Sequence, residues 1–176
     1  MAMYKDIALA VEGGGMRGAY SAGVLDVFLD NGIKFGACAG TSAGATHLCS
    51  YLSEQRERNK RLDTIHSASK RYMSWGNLIR TGEFFELDYC YNQIPRVVDP
   101  FDFEKFRKNT AETKFYAVAT NLETGGPEYL LTCDLDKPED MDKIRASASL
   151  PLMSHIVEVD GMKLLDGGVG DSIPFE

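Results

Sequence analysis

The sequence predicts an α/β fold, and three observations predict it. Short apolar runs alternate with helical patterns, as a sheet covered by helices requires. Glycine clusters fall at the two places where an apolar run gives way to a helical one. The chain has 176 residues, enough for one sizeable core and too few for two. It is read as a single domain over residues 1–176, with 44% hydrophobic residues, near the globular average.

Residues 7–11 read as a short, fully buried strand, and glycines follow at once. Residues 19–31 carry Tyr20, Val24, Val27 and Phe28 at helical spacing, and Gly32 suits the position just past a helix end. Residues 35–39 form a second apolar strand that runs into Gly40, and a helix is expected from Ala43. The charged stretch 54–61 reads as a solvated helix end. Residues 72–100 are rich in aromatics, Trp75, Phe84 and Phe85 among them, and serve either as a cap or as core packing. A strand over 114–120 and another over 129–133 flank a turn at 121–127. Residues 140–149 should be a helix that stops before Pro151. Residues 157–159 and 163–165 flank Asp160-Gly161, a strong hairpin turn.

Composition removes several classes of function. The net charge of −7 argues against a nucleic-acid partner, since phosphate backbones attract cationic surfaces. Cys38, Cys49, Cys90 and Cys133 form no C-x-x-C pair and read as reduced, mostly buried thiols of a cytoplasmic protein. The N-terminus lacks a secretory pattern, and no window approaches 18 apolar residues.

Gly40-Thr41-Ser42-Ala43-Gly44 fits G-x-S-x-G. A nucleophilic serine needs a sharp strand-to-helix turn, and glycines two residues either side permit one. The helix behind Ser42 would offer free N–H groups and a positive dipole end to an oxyanion, with the Ala43 N–H as first donor. Alone, the pentapeptide recurs by chance. The loop Gly13, Gly14, Gly15, Met16, Arg17 and Gly18 follows the first strand and opens the first helix. Converging N–H groups there make an anion cradle, for an oxyanion or for a pyrophosphate. Gly13, Gly15 and Gly18 satisfy the dinucleotide spacing, but the next strand ends in Cys38-Ala39-Gly40 without the acid that would hold a ribose. Arg17 either shapes this loop or meets a negatively charged substrate.

Serine needs a base. His47 is off the serine's helix face, His66 lies in a charged segment, His155 stays a minor candidate, and no histidine follows Asp166. Asp166 ends an apolar strand and precedes Gly167 and Gly168. It reads as a turn former or as the group that takes the serine proton, a role that burial would favour by raising its pKa. Asp171 is the nearest rival.

Taken together and in this order, the Gly13-Gly14-Gly15-Met16-Arg17-Gly18 loop, the Ser42 elbow and Asp166-Gly167-Gly168 resemble the patatin-like phospholipase family, its bacterial members in particular. Tyr20, Gly23, Val24 and Leu25 continue that pattern, as does Ala148-Ser149-Leu150-Pro151. The resemblance implies a three-layer α/β/α sandwich and a Ser42–Asp166 dyad without histidine. It implies hydrolysis of fatty acyl esters of phospholipids or other lipids through an acyl-enzyme, with no cofactor and no metal. The expected partner is a lipid ester, with peripheral membrane contact and self-association as further options. Family domains commonly continue past the Asp-Gly-Gly motif, whereas this sequence stops at Glu176, as a C-terminally truncated domain or a short member would. A catalytically silent binding protein, nucleotide or phosphate binding at the 13–18 loop, and acyl transfer stay open as alternatives.

Overall fold

The computed structural model describes residues 2–175. Strand β1 (Ala2–Val11) leads through the glycine loop and a 3-10 turn (Gly15–Gly18) into helix α1 (Ala19–Asp30). Strand β2 (Ile33–Thr41) follows in parallel with β1 and delivers helix α2 (Ala43–Leu52). The central part is helical: α3 (Arg58–Arg61), which runs on as a π-helix through Leu62–His66, then α4 (Trp75–Thr81), a π-wound segment Tyr89–Val98, and α5 (Phe103–Thr110). Strands β3 (Lys114–Asn121) and β4 (Pro127–Leu131) form a hairpin. Helix α6 (Pro138–Ser147) and a second hairpin, β5 (Val157–Val159) with β6 (Met162–Asp166), complete the chain. The α/β class read from the sequence is the class observed.

One feature of the sheet positions everything that matters for function. The strand order is β1-β2-β3-β6-β5, with β4 also on β3. Val118 of β3 pairs with Thr41 of β2 and with Tyr129 of β4, while Ala119 pairs with Asp166 of β6 and with Glu128 of β4. Strand β4 therefore occupies one edge of β3, and β2 and β6 share the other. Where β2 ends at Thr41, β6 takes over at Asp166. Ser42, the next residue of β2's chain, turns out of the sheet beside that aspartate.

The core lies on one face of the sheet. Leu25 of α1, Leu48 of α2, Phe106 of α5 and Ile144 of α6 pack with Cys38 and Phe115 in a single buried cluster. Residues of opposite parity, Ala8, Ala10, Ala37 and Ala39, are exposed or half-buried. Pro174 and Phe175 line a groove there with Tyr116 and Tyr129. Among the described residues no helix is long and apolar enough to cross a membrane.

Turn chemistry follows the sequence closely. Asp160 and Gly161 both have positive φ, 51° and 78°, as a type I′ hairpin turn needs. Gly32 is left-handed at φ 61° and closes α1 through its N–H to the Leu29 carbonyl. Asn121 folds its side-chain oxygen onto the N–H groups of Glu123 and Thr124, making the turn that joins β3 to β4.

Four readings need correction. Residues 7–11 are not a fully buried strand: β1 is an edge strand, and within it Val11 is the buried apolar residue while Ile7 is half-exposed. The stripe that marks α1 as a helix is not its inner face. Tyr20, Val24 and Val27 are exposed, while Ala22 and Leu25 are buried, because α1 packs on α2 through the face that carries Ala22 and Leu25. The charged stretch 54–61 is not simply solvated: Arg58 and Asn59 are buried, Arg58 against the Ser50 hydroxyl, the Asp99 carbonyl and the Phe101 ring. The thiols divide: Cys38 and Cys49 are buried, Cys133 is exposed, and all four are unpaired. Burial alone pushes the Cys38 thiol up to about 12.

Candidate active site

The site is built at the seam between β2, β6 and α2. Ser42 sits between strand and helix with φ 53° and ψ −120°, a conformation that costs a non-glycine residue about 1–3 kcal/mol and persists only where the surroundings impose it. The flanking glycines make room for it. A Cβ on Gly40 would lie 2.7 Å from the Ala45 nitrogen, and one on Gly44 only 2.3 Å from the Val11 carbonyl oxygen. Helix α2 can therefore start hard against the strands only with glycine at both places. The Ser42 N–H donates to the Ser147 hydroxyl at 2.9 Å, and that hydroxyl donates to the Val118 carbonyl at 2.6 Å. This relay through the end of α6 holds the turn.

The Ser42 hydroxyl donates to Asp166 Oδ2 at 2.6 Å, with both residues buried. The other carboxylate oxygen accepts the Gly168 N–H at 2.8 Å. The backbone of Asp166 is held as firmly: its N–H donates to the Ser149 carbonyl, and its carbonyl accepts the Thr120 hydroxyl. Gly167 must be glycine, since a Cβ there would meet the Val118 carbonyl oxygen at 2.1 Å. Burial raises the Asp166 pKa above the ordinary aspartate value, and the hydrogen bonds from Ser42 and Gly168 offset part of that rise. The arrangement is a buried carboxylate of raised basicity in direct contact with a hydroxyl on a strained turn. Chemically, it can move a proton between serine and carboxylate.

The other candidates lie elsewhere. The Asp171 carboxylate accepts from the Tyr129 hydroxyl and the Ile173 N–H. His47 pairs with Asp63 at 3.2 Å, His66 with Asp99 at 3.3 Å and His155 with Glu83 at 3.2 Å. His47 lies against Gly18, where a Cβ would come within 2.7 Å of its ring. Among the described residues no group of three or more His, Cys, Asp or Glu side chains is placed to hold a metal ion.

The glycine loop curls beside the serine. Gly14 and Gly15 have φ of 154° and 54°, open to glycine and strained for other residues. The Gly13 N–H is taken by the Ser172 carbonyl and the Arg17 N–H by the Gly14 carbonyl. Arg17 is exposed, with its guanidinium folded over Gly14. Gly15 and Met16 share the lining of a cleft with Ser42 and Ala43. That cleft, open to solvent, is walled by Leu62, Tyr72, Phe85, Leu87, Tyr91 and Leu150. A second, narrow cavity adjoins it through Thr46, Leu62, Tyr72, Cys90 and Tyr91, and reaches inward to Phe101 and Ile144.

A patatin-like phospholipase family model matches residues 9–176. The chain belongs to the patatin-like phospholipase family. The Escherichia coli protein YjjU is 32% identical to this patatin-like chain over 97% of its length, and the match covers 47% of YjjU. The Mycobacterium tuberculosis NTE family protein Rv1063c is 29% identical over 96% of the chain and 44% of its own length. The patatin-like chain thus spans about half the length of the curated relatives it matches. The crystal structure of VipD from Legionella pneumophila shares the fold, with a TM-score of 0.53 at 15% identity, over 96% of this chain and 47% of that one.

Sequence reasoning missed Ser147 and Thr120. Both are buried hydroxyls that tie backbone to backbone, and nothing in their spacing distinguishes them from other serines and threonines. Ser149 was visible as part of Ala148-Ser149-Leu150-Pro151, though its use, a carbonyl that fixes Asp166, was not.

Proposed function

We propose that this chain hydrolyses fatty acyl esters of lipids through an acyl-enzyme, with Ser42 as nucleophile and Asp166 as base. The observation that carries the reading is the 2.6 Å hydrogen bond from the Ser42 hydroxyl to the buried Asp166 carboxylate. Ser42 Oγ attacks the acyl carbonyl carbon while its proton passes to Asp166 Oδ2. The oxyanion is held by the Ala43 N–H, at the start of α2, and by N–H groups of Gly14, Gly15 and Met16. Gly13, Arg17 and Gly18 shape that loop. The carbonyl re-forms, the alcohol leaves with the proton from Asp166, and water repeats the sequence in reverse to free the fatty acid. The apolar walls of the cleft and of the cavity behind it suit an acyl chain.

Turnover tests the reading. A fatty acyl ester panel of phospholipids and acylglycerols should release fatty acid with the parent chain and none above background with Ser42→Ala. No release from any lipid ester by a folded parent overturns it and leaves a silent binding protein. No observation favours a nucleotide at the 13–18 loop, where two of the N–H groups already have backbone partners.

A further inference from the structure

Helix α4 is built inside out. Asn77 is 6% exposed, while Trp75 and Ile79, four apart and so on one face, are 68% and 87% exposed. Asn77 explains the inversion: its amide donates to the carbonyls of Lys70 and Arg71, and its own N–H is capped by Ser74. The helix is pinned through its polar side, and its apolar side faces solvent.

That apolar side belongs to the mouth of the Ser42 cleft. Trp75 stacks edge-on with Phe84, Phe84 with Phe85, and Phe85 with Tyr72, and the last two line the cleft. The opposite rim is joined to it, since the Phe84 N–H donates to the Met153 carbonyl at 2.8 Å. Leu152 projects there with a left-handed backbone and is 94% exposed. Leu150, on the same loop, lines the cleft.

Charge sets this region apart from the rest of the molecule. Residues 65–82 carry Lys70, Arg71 and Arg80 and no Asp or Glu, in a chain whose net charge is −7. All three cations are exposed and border one depression beside α4, which Glu86 also lines, and Glu83 follows just past the helix end. Arg71 is partly neutralised by Glu86 at 3.5 Å. A basic, tryptophan-bearing apolar ridge on an acidic protein is complementary to an anionic bilayer, where indole and aliphatic side chains sit at the interface and cations meet headgroups.

We infer that Trp75, Ile79 and Leu152, with Lys70 and Arg80, form a docking surface that seats the mouth of the Ser42 cleft on an anionic lipid bilayer. The inference rests on the lipid-ester reading above, which gives the surface its purpose, but its test does not require turnover.

Trp75 is the only tryptophan in the chain, so its emission reports on this surface directly. The probe is a vesicle of phosphatidylcholine and phosphatidylglycerol in equal parts, against phosphatidylcholine alone, with Ser42→Ala protein so that no lipid is consumed. The expected result is a blue shift on the anionic vesicles and quenching by bromine placed on the acyl chains. Ile79→Ser should weaken binding about ten-fold. Lys70→Gln with Arg80→Gln should weaken it about twenty-five-fold, at roughly five-fold per charge, and high salt should do the same. With Ser42 restored, these variants should cleave a soluble short-chain ester at the parent rate. No blue shift on anionic vesicles overturns the inference, as does equal binding by the variants. A mass in solution that falls in Ile79→Ser, without vesicle binding, assigns the face to a second copy of the chain and also overturns it. If the parent cleaves no ester yet binds vesicles, the hydrolase reading fails and the docking surface stands.

Discussion

Two regions a short distance apart follow opposite rules. At the Ser42–Asp166 corner the polar groups are buried and partnered. Ser42 is held by Ser147 and Asp166, and Asp166 by Gly168, Ser149 and Thr120. At the mouth, α4 buries its asparagine and exposes a tryptophan and an isoleucine. Buried polar networks fix geometry and are costly to break, because a partner left behind stays desolvated. An exposed apolar ridge contributes little to folding, so substitutions there should leave stability nearly unchanged.

Substitutions should separate the two regions by size of effect. The largest loss of stability belongs to the shared core beneath them: Phe106→Ala, which removes a fully buried ring packed on Phe101 and Phe115, should cost about 3–5 kcal/mol in denaturant unfolding. Next comes Ser147→Ala, which strips the Ser42 N–H and the Val118 carbonyl of their partner. A cost of about 1–3 kcal/mol is expected, with a fall in kcat approaching 100-fold as the serine turn relaxes. A variant that unfolds earlier but keeps kcat would show that the relay serves the fold and not the turn.

Asp166→Asn should lower activity and yet raise stability at neutral pH, on the order of 0.5–2 kcal/mol, as replacing a destabilising active-site group commonly does. The sign follows from burial. The folded-state pKa of Asp166 is raised, so ionisation is harder in the folded than in the unfolded chain. That penalty is absent below the unfolded value and is fully present above the folded one. The gain from asparagine should therefore vanish in acid and appear as pH rises, and a gain independent of pH would contradict this account of Asp166. For the same reason the acid limb of kcat/KM should lie above the ordinary aspartate value of 3.8. The smallest effect belongs to the mouth: Ile79→Ser should change folding stability by no more than about 0.5 kcal/mol. A large loss there would mean that the ridge is part of the fold, and the contrast between the regions would collapse.

The juxtaposition of Ser42 and Asp166 was legible in the sequence because its turns need unusual backbone. Gly40, Gly44 and Gly167 are forced by close approaches of 2.7, 2.3 and 2.1 Å, and glycine is the one residue type that advertises such contacts. The Asp160-Gly161 hairpin was readable for a related reason. What could not be read is what covers what. Apolar periodicity marked α1 as a helix but pointed to Tyr20, Val24 and Val27, which face outward, and the apolar run in β1 looked buried although it lies at an edge. Arg58 looked solvated because its partners, Ser50, Asp99 and Phe101, are distributed along the chain. Ser147 was silent: a serine that links Ser42 to Val118 has the same local sequence signature as one that links nothing.

The central claim is that Ser42 is a nucleophile activated by Asp166, and intact-mass spectrometry after treatment with a fluorophosphonate tests it most directly. The account predicts one adduct on the parent chain, none on Ser42→Ala, and labelling of Asp166→Asn slowed on the order of 10³–10⁴-fold, the scale of losing a partner that acts as a unit with the nucleophile. A folded parent that takes no adduct, or an adduct that survives Ser42→Ala, would contradict it.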